Sequence, residues 1–236
     1  MSLIHSNMLM SEVVEAHTSL IPVLNRLGIR LGLKDKSIRQ VCEEHQLDVD
    51  FLLVIINTFL NEEYFPEKRL KAFHLSQIID YLNKTNHYYL RYQIPNIARH
   101  LELFIAQDGS ANKTLALIGR FFQSFKERLM AQIEKDEREW FPYCLALGRQ
   151  WATAVFMEDE ECLGDVAADE ENAEALLADL KSIMIKHLSG EYNENLCYAV
   201  LFAISSLEKD MKQHNRIRYR IVQPMIRQME RFNLKK

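Results

Sequence analysis

Two stretches of this chain, Gln132–Pro142 (QIEKDEREWFP) and His214–Pro224 (HNRIRYRIVQP), share a pattern that restricts the fold more than any other feature. Each reads as a helix ending in a proline. In each, a polar residue stands ten positions before that proline and a second follows four later. Residues four apart lie on one face of a helix. Gln132 with Asp136, and His214 with Arg218, can therefore each point into a shared interior.

The rest of the chain supports long helices. Only 7 Gly and 5 Pro among 236 residues leave little turn material. Four long helical patterns run over about 76–107, 112–149, 168–188 and 192–233, broken at Asp108-Gly109-Ser110 and Ser189-Gly190. Short joins between long amphipathic helices favour antiparallel neighbours, which predicts an all-α, up-down four-helix bundle over 76–236. Ahead of it, 1–62 reads as a small helical domain, and 63–75, around Pro66, as a linker.

In that first part Ser11 can cap a helix whose face carries Val13, Val14, Leu20, Ile21 and Leu24. Ser37 with Gln40 forms the spacing of a capping box for Ile38–His45. Asp48 opens a strongly apolar helix, VDFLLVIINTFL. The rhythm of 37–53 also fits a helix-turn-helix. A recognition helix, however, needs Arg, Lys, Asn or Gln along the face entering the groove, whereas Phe51 to Phe59 is built to be buried.

Composition excludes several classes of function. A net charge of −4 and a pI of about 6.1 suggest no nucleic-acid or membrane-surface partner. No apolar run approaches a membrane span, and the first residues lack the pattern of a signal peptide. Cys42, Cys144, Cys162 and Cys197 are scattered without a C-x-x-C, which predicts buried reduced thiols and a cytoplasmic address. There is no phosphate loop, serine-nucleophile or cysteine–histidine signature, so no catalytic residue is assigned. Nine acidic residues lie in 158–174, whereas the last thirty carry nine Lys or Arg against three Asp or Glu. Opposite-sign ends of this kind can attract within the molecule or present a basic face to an acidic partner.

The proline-anchored pattern resembles the H-x-x-x-E…F-P and H-x-x-x-E-N…P signatures of hemerythrin-like di-iron proteins, in particular the iron–sulfur cluster repair family. The resemblance spans nearly the whole chain and implies a small helical domain before a four-helix bundle. In the first part Gly28, Ile29 and Cys42 match the family's pattern, but Arg30 to Leu33 replace its paired cysteines. In the bundle the resemblance puts the family's histidines at His87, Gln132, the neighbourhood of Glu170, and His214. Its bridging glutamates fall on Asp136 and Arg218.

Two of the four histidines thus remain, and one bridging carboxylate has become a guanidinium. Arginine cannot ligate a metal and stays protonated. The expected arrangement is a polar, hydrogen-bonded interior in which Arg218 substitutes for the metal's charge beside Asp136 and Glu170, completed by His87, Gln132 and His214. The alternative keeps one iron or other divalent ion on His87, Asp136, Glu170 and His214. His45, His74, His100 and His187 take capping or surface roles. The family's chemistry implies repair of iron–sulfur clusters under nitrosative or oxidative stress. For this chain the leading expectation is a non-catalytic interaction or regulatory protein without a cofactor, acting on a protein partner. A mono-metal iron protein and a DNA-binding regulator are the alternatives.

Overall fold

The computed structural model describes residues 2–106, 113–151 and 173–234. Among them all regular structure is helical, apart from an isolated bridge between Leu9 and Ser37. None of these helices is long and apolar enough to cross a membrane. The helices are α1 Met10–Ala16, α2 Ile21–Arg26, α3 Ile38–His45, α4 Val49–Leu60, α5 Glu67–Lys71, α6 Leu75–Tyr88, α7 Ile94–Ala106, α8 Lys113–Lys135, α9 Phe141–Trp151, α10 Ala173–His187, α11 Glu194–Ile217 and α12 Gln223–Leu234. A 3-10 turn, Thr18–Leu20, precedes α2.

The chain packs as two compact units. One comprises the described residues of Met1–Thr85, Cys144–Cys162 and Arg216–Lys236; the other, those of Asn86–Tyr143 and Leu163–Asn215. The unit boundaries thus differ from a linear division at 63–75.

In the first unit local signals set most of the boundaries. Ser37 and Gln40 close the capping box at the start of α3, and the Asp48 side chain accepts from the Phe51 N–H at the start of α4. Gly28, at φ +80°, ends α2 in the left-handed region that glycine adopts without steric cost. The expected Ser11 cap does not form. α1 starts at Met10, whose N–H donates to the Lys36 carbonyl, 2.9 Å away. The helix thus starts one residue ahead of Ser11, which lies within the first turn rather than at the cap position. α4 is the central helix of this unit, buried from Phe51 to Phe59 except at Leu53. Its Phe51 ring meets Phe73 edge-on at 5.1 Å and Tyr81 at 6.0 Å. Asn57, polar on a buried face, is held by Ile4: its Oδ1 accepts from the Ile4 N–H at 2.7 Å and its Nδ2 donates to the Ile4 carbonyl at 3.0 Å.

The second unit is built on one core to which α7, α8, α10 and α11 contribute, among others, Ile97, Phe104, Ile118, Phe125, Leu177, Leu180, Val200 and Ile204. Two polar pairs fix the direction of α10 against α11. Glu174 bonds Asn215, and Lys181 bonds Glu208. Seven residues up α10 correspond to seven down α11, so the two run antiparallel.

The prolines do not end their helices. Each lies two residues beyond a five-residue π-helical segment: Tyr89–Gln93 before Pro95, Asp136–Trp140 before Pro142, and Arg218–Val222 before Pro224. The helical path then continues as α7, α9 and α12. Proline lacks an N–H and its ring clashes with the carbonyl four residues back. Widening the preceding turn by one residue relieves that clash. In all three segments the residue just before the proline donates five residues back: Ile94 to Tyr89, Phe141 to Asp136, Gln223 to Arg218.

Candidate functional site

The three π segments define a backbone register that the two-copy reading missed. They read YLRYQ, DEREW and RYRIV, each with an exposed arginine at its middle: Arg91, Arg138 and Arg220. In this register the counterparts of Gln132 and Asp136 are His214 and Arg218 on the one hand, and Thr85 and Tyr89 on the other. His87, the candidate from the first helical pattern, falls between these positions. An arginine four residues before each proline was the sequence signal that could have revealed the third copy.

The side chains of the second unit sort accordingly. His87 is half-exposed and its Nε2 lies 3.1 Å from the Glu137 Oε1, so its partner is the neighbour of Asp136. Asp136, 2% exposed, begins the second π segment and turns inward, while Gln132 is only half-buried. His214 is 5% exposed. Its ring sits 6.1 Å from that of buried Tyr89, tilted by 58°, and its Nδ1 lies 3.5 Å from the Asn215 Oδ1. Asn215 in turn donates to the Glu174 carboxylate at 2.6 Å. Glu174 comes four residues after Glu170, which lies outside the described residues. The carboxylate seen to reach α11 from α10 is therefore Glu174, and an amide holds it. Asn86, Gln93, Asp210 and Gln213 add further buried polar side chains to this unit.

Arg218 belongs to the first unit, where its guanidinium lies 5.8 Å from the centre of the Tyr219 ring. Its helical neighbours Arg216 and Arg220 both stack on Phe65, at 4.4 and 4.6 Å, and Arg220 also bonds Glu67. Burial, with the charge of Arg220 next in weight, holds the Arg216 guanidinium below its ordinary pKa. Buried Arg26 donates to Thr85 Oγ1 at 3.0 Å, so the third copy's polar position is also taken by an internal bond.

These residues do not fit a di-iron centre. Two bridged cations need imidazoles and carboxylates converging on one point. Here one imidazole is paired with Glu137, the Glu174 carboxylate accepts from an amide, and Arg218 offers a guanidinium, which cannot ligate a metal. Among the described residues no three His, Cys, Asp or Glu side chains are arranged to hold a metal ion. Nor are the thiols poised as ligands. Cys42, Cys144 and Cys197 are buried and in no disulfide, and Cys162 lies outside the described residues. Burial, with Asp48 and Glu43 adding to it, pushes the Cys42 thiol up to about 11. Burial raises Cys197 as well, and the thiolate is the form that binds metal. α4, the second helix of the helix-turn-helix rhythm, spends its length in the core of its unit.

No family model and no curated protein sequence matches the chain.

Proposed function

We propose that the chain is a diverged hemerythrin-like protein of the iron–sulfur cluster repair type: a small helical domain before an up-down four-helix bundle whose ligand positions have been turned to hydrogen bonding. On this reading it acts as a non-catalytic, cytoplasmic interaction or regulatory protein in a stress-response setting. The observation that supports it is the common backbone register of the π segments. It places Gln132 with Asp136 and His214 with Arg218 at equivalent points, where the resemblance implies paired ligands. At those points stand an amide, a carboxylate, an imidazole and a guanidinium, which pair with one another's chemistry more readily than with two cations.

The test is elemental analysis of anaerobically purified protein, with thermal melting in the presence and absence of ferrous and manganous ions. The expected result is no stoichiometric metal and no change in Tm. A ligand binding only the folded state raises Tm by mass action. A stabilisation by iron abolished in both His214→Ala and Asp136→Ala would support the mono-metal alternative instead. A stoichiometric pair of irons would restore the di-iron reading. The DNA-binding alternative predicts retention on nucleic acid that weakens steeply with salt, and no such retention is expected here.

A further inference from the structure

Leu53 is the one residue of α4 between Phe51 and Phe59 that the core does not bury, and it opens onto a cavity of about 240 Å³. Asp50, Leu53, Val54 and Asn57 line that cavity together, at the three-and-four spacing of a single helical face. Residues 3–6 line it as well, and Tyr64 and Arg69 complete it, all within the first unit. The wall formed by residues 3–6 is pinned. The Asn57 amide holds both backbone groups of Ile4, at 2.7 and 3.0 Å, and the Ser6 carbonyl accepts from the Arg39 N–H at 3.0 Å. Protein interiors close over empty space where they can. A cavity kept between a core helix and a pinned segment is preformed, so a ligand entering it orders little that is not already ordered.

The charges around it say what class of molecule it takes. The Arg69 guanidinium lies 3.7 Å from the Asp50 carboxylate, longer than a hydrogen bond, and the two side chains are 56% and 75% exposed. Each therefore keeps room for a further partner. A ligand carrying only a negative charge would meet Asp50 as well as Arg69, and one carrying only a positive charge the reverse. A molecule with both charges on one carbon satisfies both residues, and its remaining part meets Leu53 and Val54. A peptide end supplies one of these charges; a free amino acid supplies the two. We propose that this cavity binds a free α-amino acid with an aliphatic side chain. Arg69 forks its carboxylate, Asp50 takes its ammonium, and Leu53 and Val54 receive its side chain. The volume is below the roughly 300–1,000 Å³ of sites for drug-sized ligands, which restricts the class to small members. None of these residues is a candidate metal position, so this inference is independent of the reading of the bundle.

Ligand-observed NMR titration of the full chain with L-leucine tests this, with L-leucinamide and 4-methylpentanoic acid as probes that each carry one of the two charges. The wild type is expected to bind L-leucine saturably and each single-charge probe roughly fivefold more weakly. Asp50→Asn and Arg69→Gln should each weaken L-leucine by a similar factor. Because both side chains are exposed, these variants should keep the wild-type helical circular dichroism and Tm. Leu53→Trp, which fills the cavity and leaves the charges in place, should abolish binding. A wild type with no saturable binding of L-leucine at tens of millimolar overturns the proposal. So does binding indifferent to both charge variants or to Leu53→Trp, or a single-charge probe that binds as tightly as the amino acid.

Discussion

The segments 132–142 and 214–224 have the same backbone and opposite interiors. Both pass through a five-residue π turn two residues before a proline, and both expose the arginine at its middle. Yet in the first copy the later polar residue, Asp136, is buried and the earlier, Gln132, is half-buried. In the second copy the earlier residue, His214, is buried and the later, Arg218, is half-buried. Proline sterics dictate the widened turn in both. The widened turn begins at the later member of each pair, so the four-residue spacing stays α-helical, and yet it does not decide which member of a pair turns inward. Neighbouring side chains decide it. Tyr89 and Asn215 surround His214, whereas Arg218 has an aromatic of its own to lie on.

The strongest way to break this comparison is at its most buried point. Asp136→Ala removes a carboxylate with almost no exposure. Leaving a buried polar group unsatisfied costs about 1–3 kcal/mol, and more when a charge is involved. The expected loss is about 3 kcal/mol in chemical denaturation. A loss below about 1 kcal/mol would mean that the carboxylate is not held in the interior.

His214→Ala comes next, at about 2 kcal/mol, since it empties space beside Tyr89 and leaves Asn215 with Glu174 alone. Gln132→Ala, at the matching position of the other copy, should fall within about 0.5 kcal/mol of wild type. The comparison predicts this inequality. Equal losses at 132 and 214 would show that the two copies share one interior role after all.

Some of this was legible in the sequence, and the limit was physical. The capping box at Ser37 and the Asp48 cap are local chemistry, readable within four residues, and both form. The apolar run of α4 announced a core helix and became one. Ser11 misled because α1 starts one residue earlier, at Met10, whose N–H meets the Lys36 carbonyl far along the chain, and no local pattern announces that bond. The prolines misled for another reason. A missing donor reads as a stop, and whether a helix stops or widens depends on whether apolar packing resumes beyond it, as Ile97, Leu101 and Phe104 do after Pro95. Among the candidate site residues, His214 and Asp136 were recognised as inward-facing. Tyr89, Asn215 and Glu174 were not, because their roles arise from contacts across helices rather than from spacing within one.

The smallest expected effect sharpens the comparison most finely, because it separates two adjacent residues. Asp136 and Glu137 follow one another at the start of the same π segment, one buried and the other turned out toward His87. If His87 belonged to the interior with Asp136, Glu137 would be a bystander and its removal would leave the effect of a His87 substitution unchanged. In the observed geometry the two are coupled across 3.1 Å with both side chains partly in solvent. Exposed ion pairs contribute roughly 0.2–1 kcal/mol, and double-mutant cycles isolate that contribution from everything else the residues do. The cycle built from His87→Ala, Glu137→Ala and the double variant is therefore expected to give a coupling of about 0.5 kcal/mol at low salt. It should shrink toward zero in molar salt, where charges are screened within about 3 Å. The parallel cycle of His87→Ala with Asp136→Ala should show no coupling beyond error. A reversal, with His87 coupled to Asp136 and indifferent to Glu137, would return the imidazole to the interior and with it the case for a bound ion.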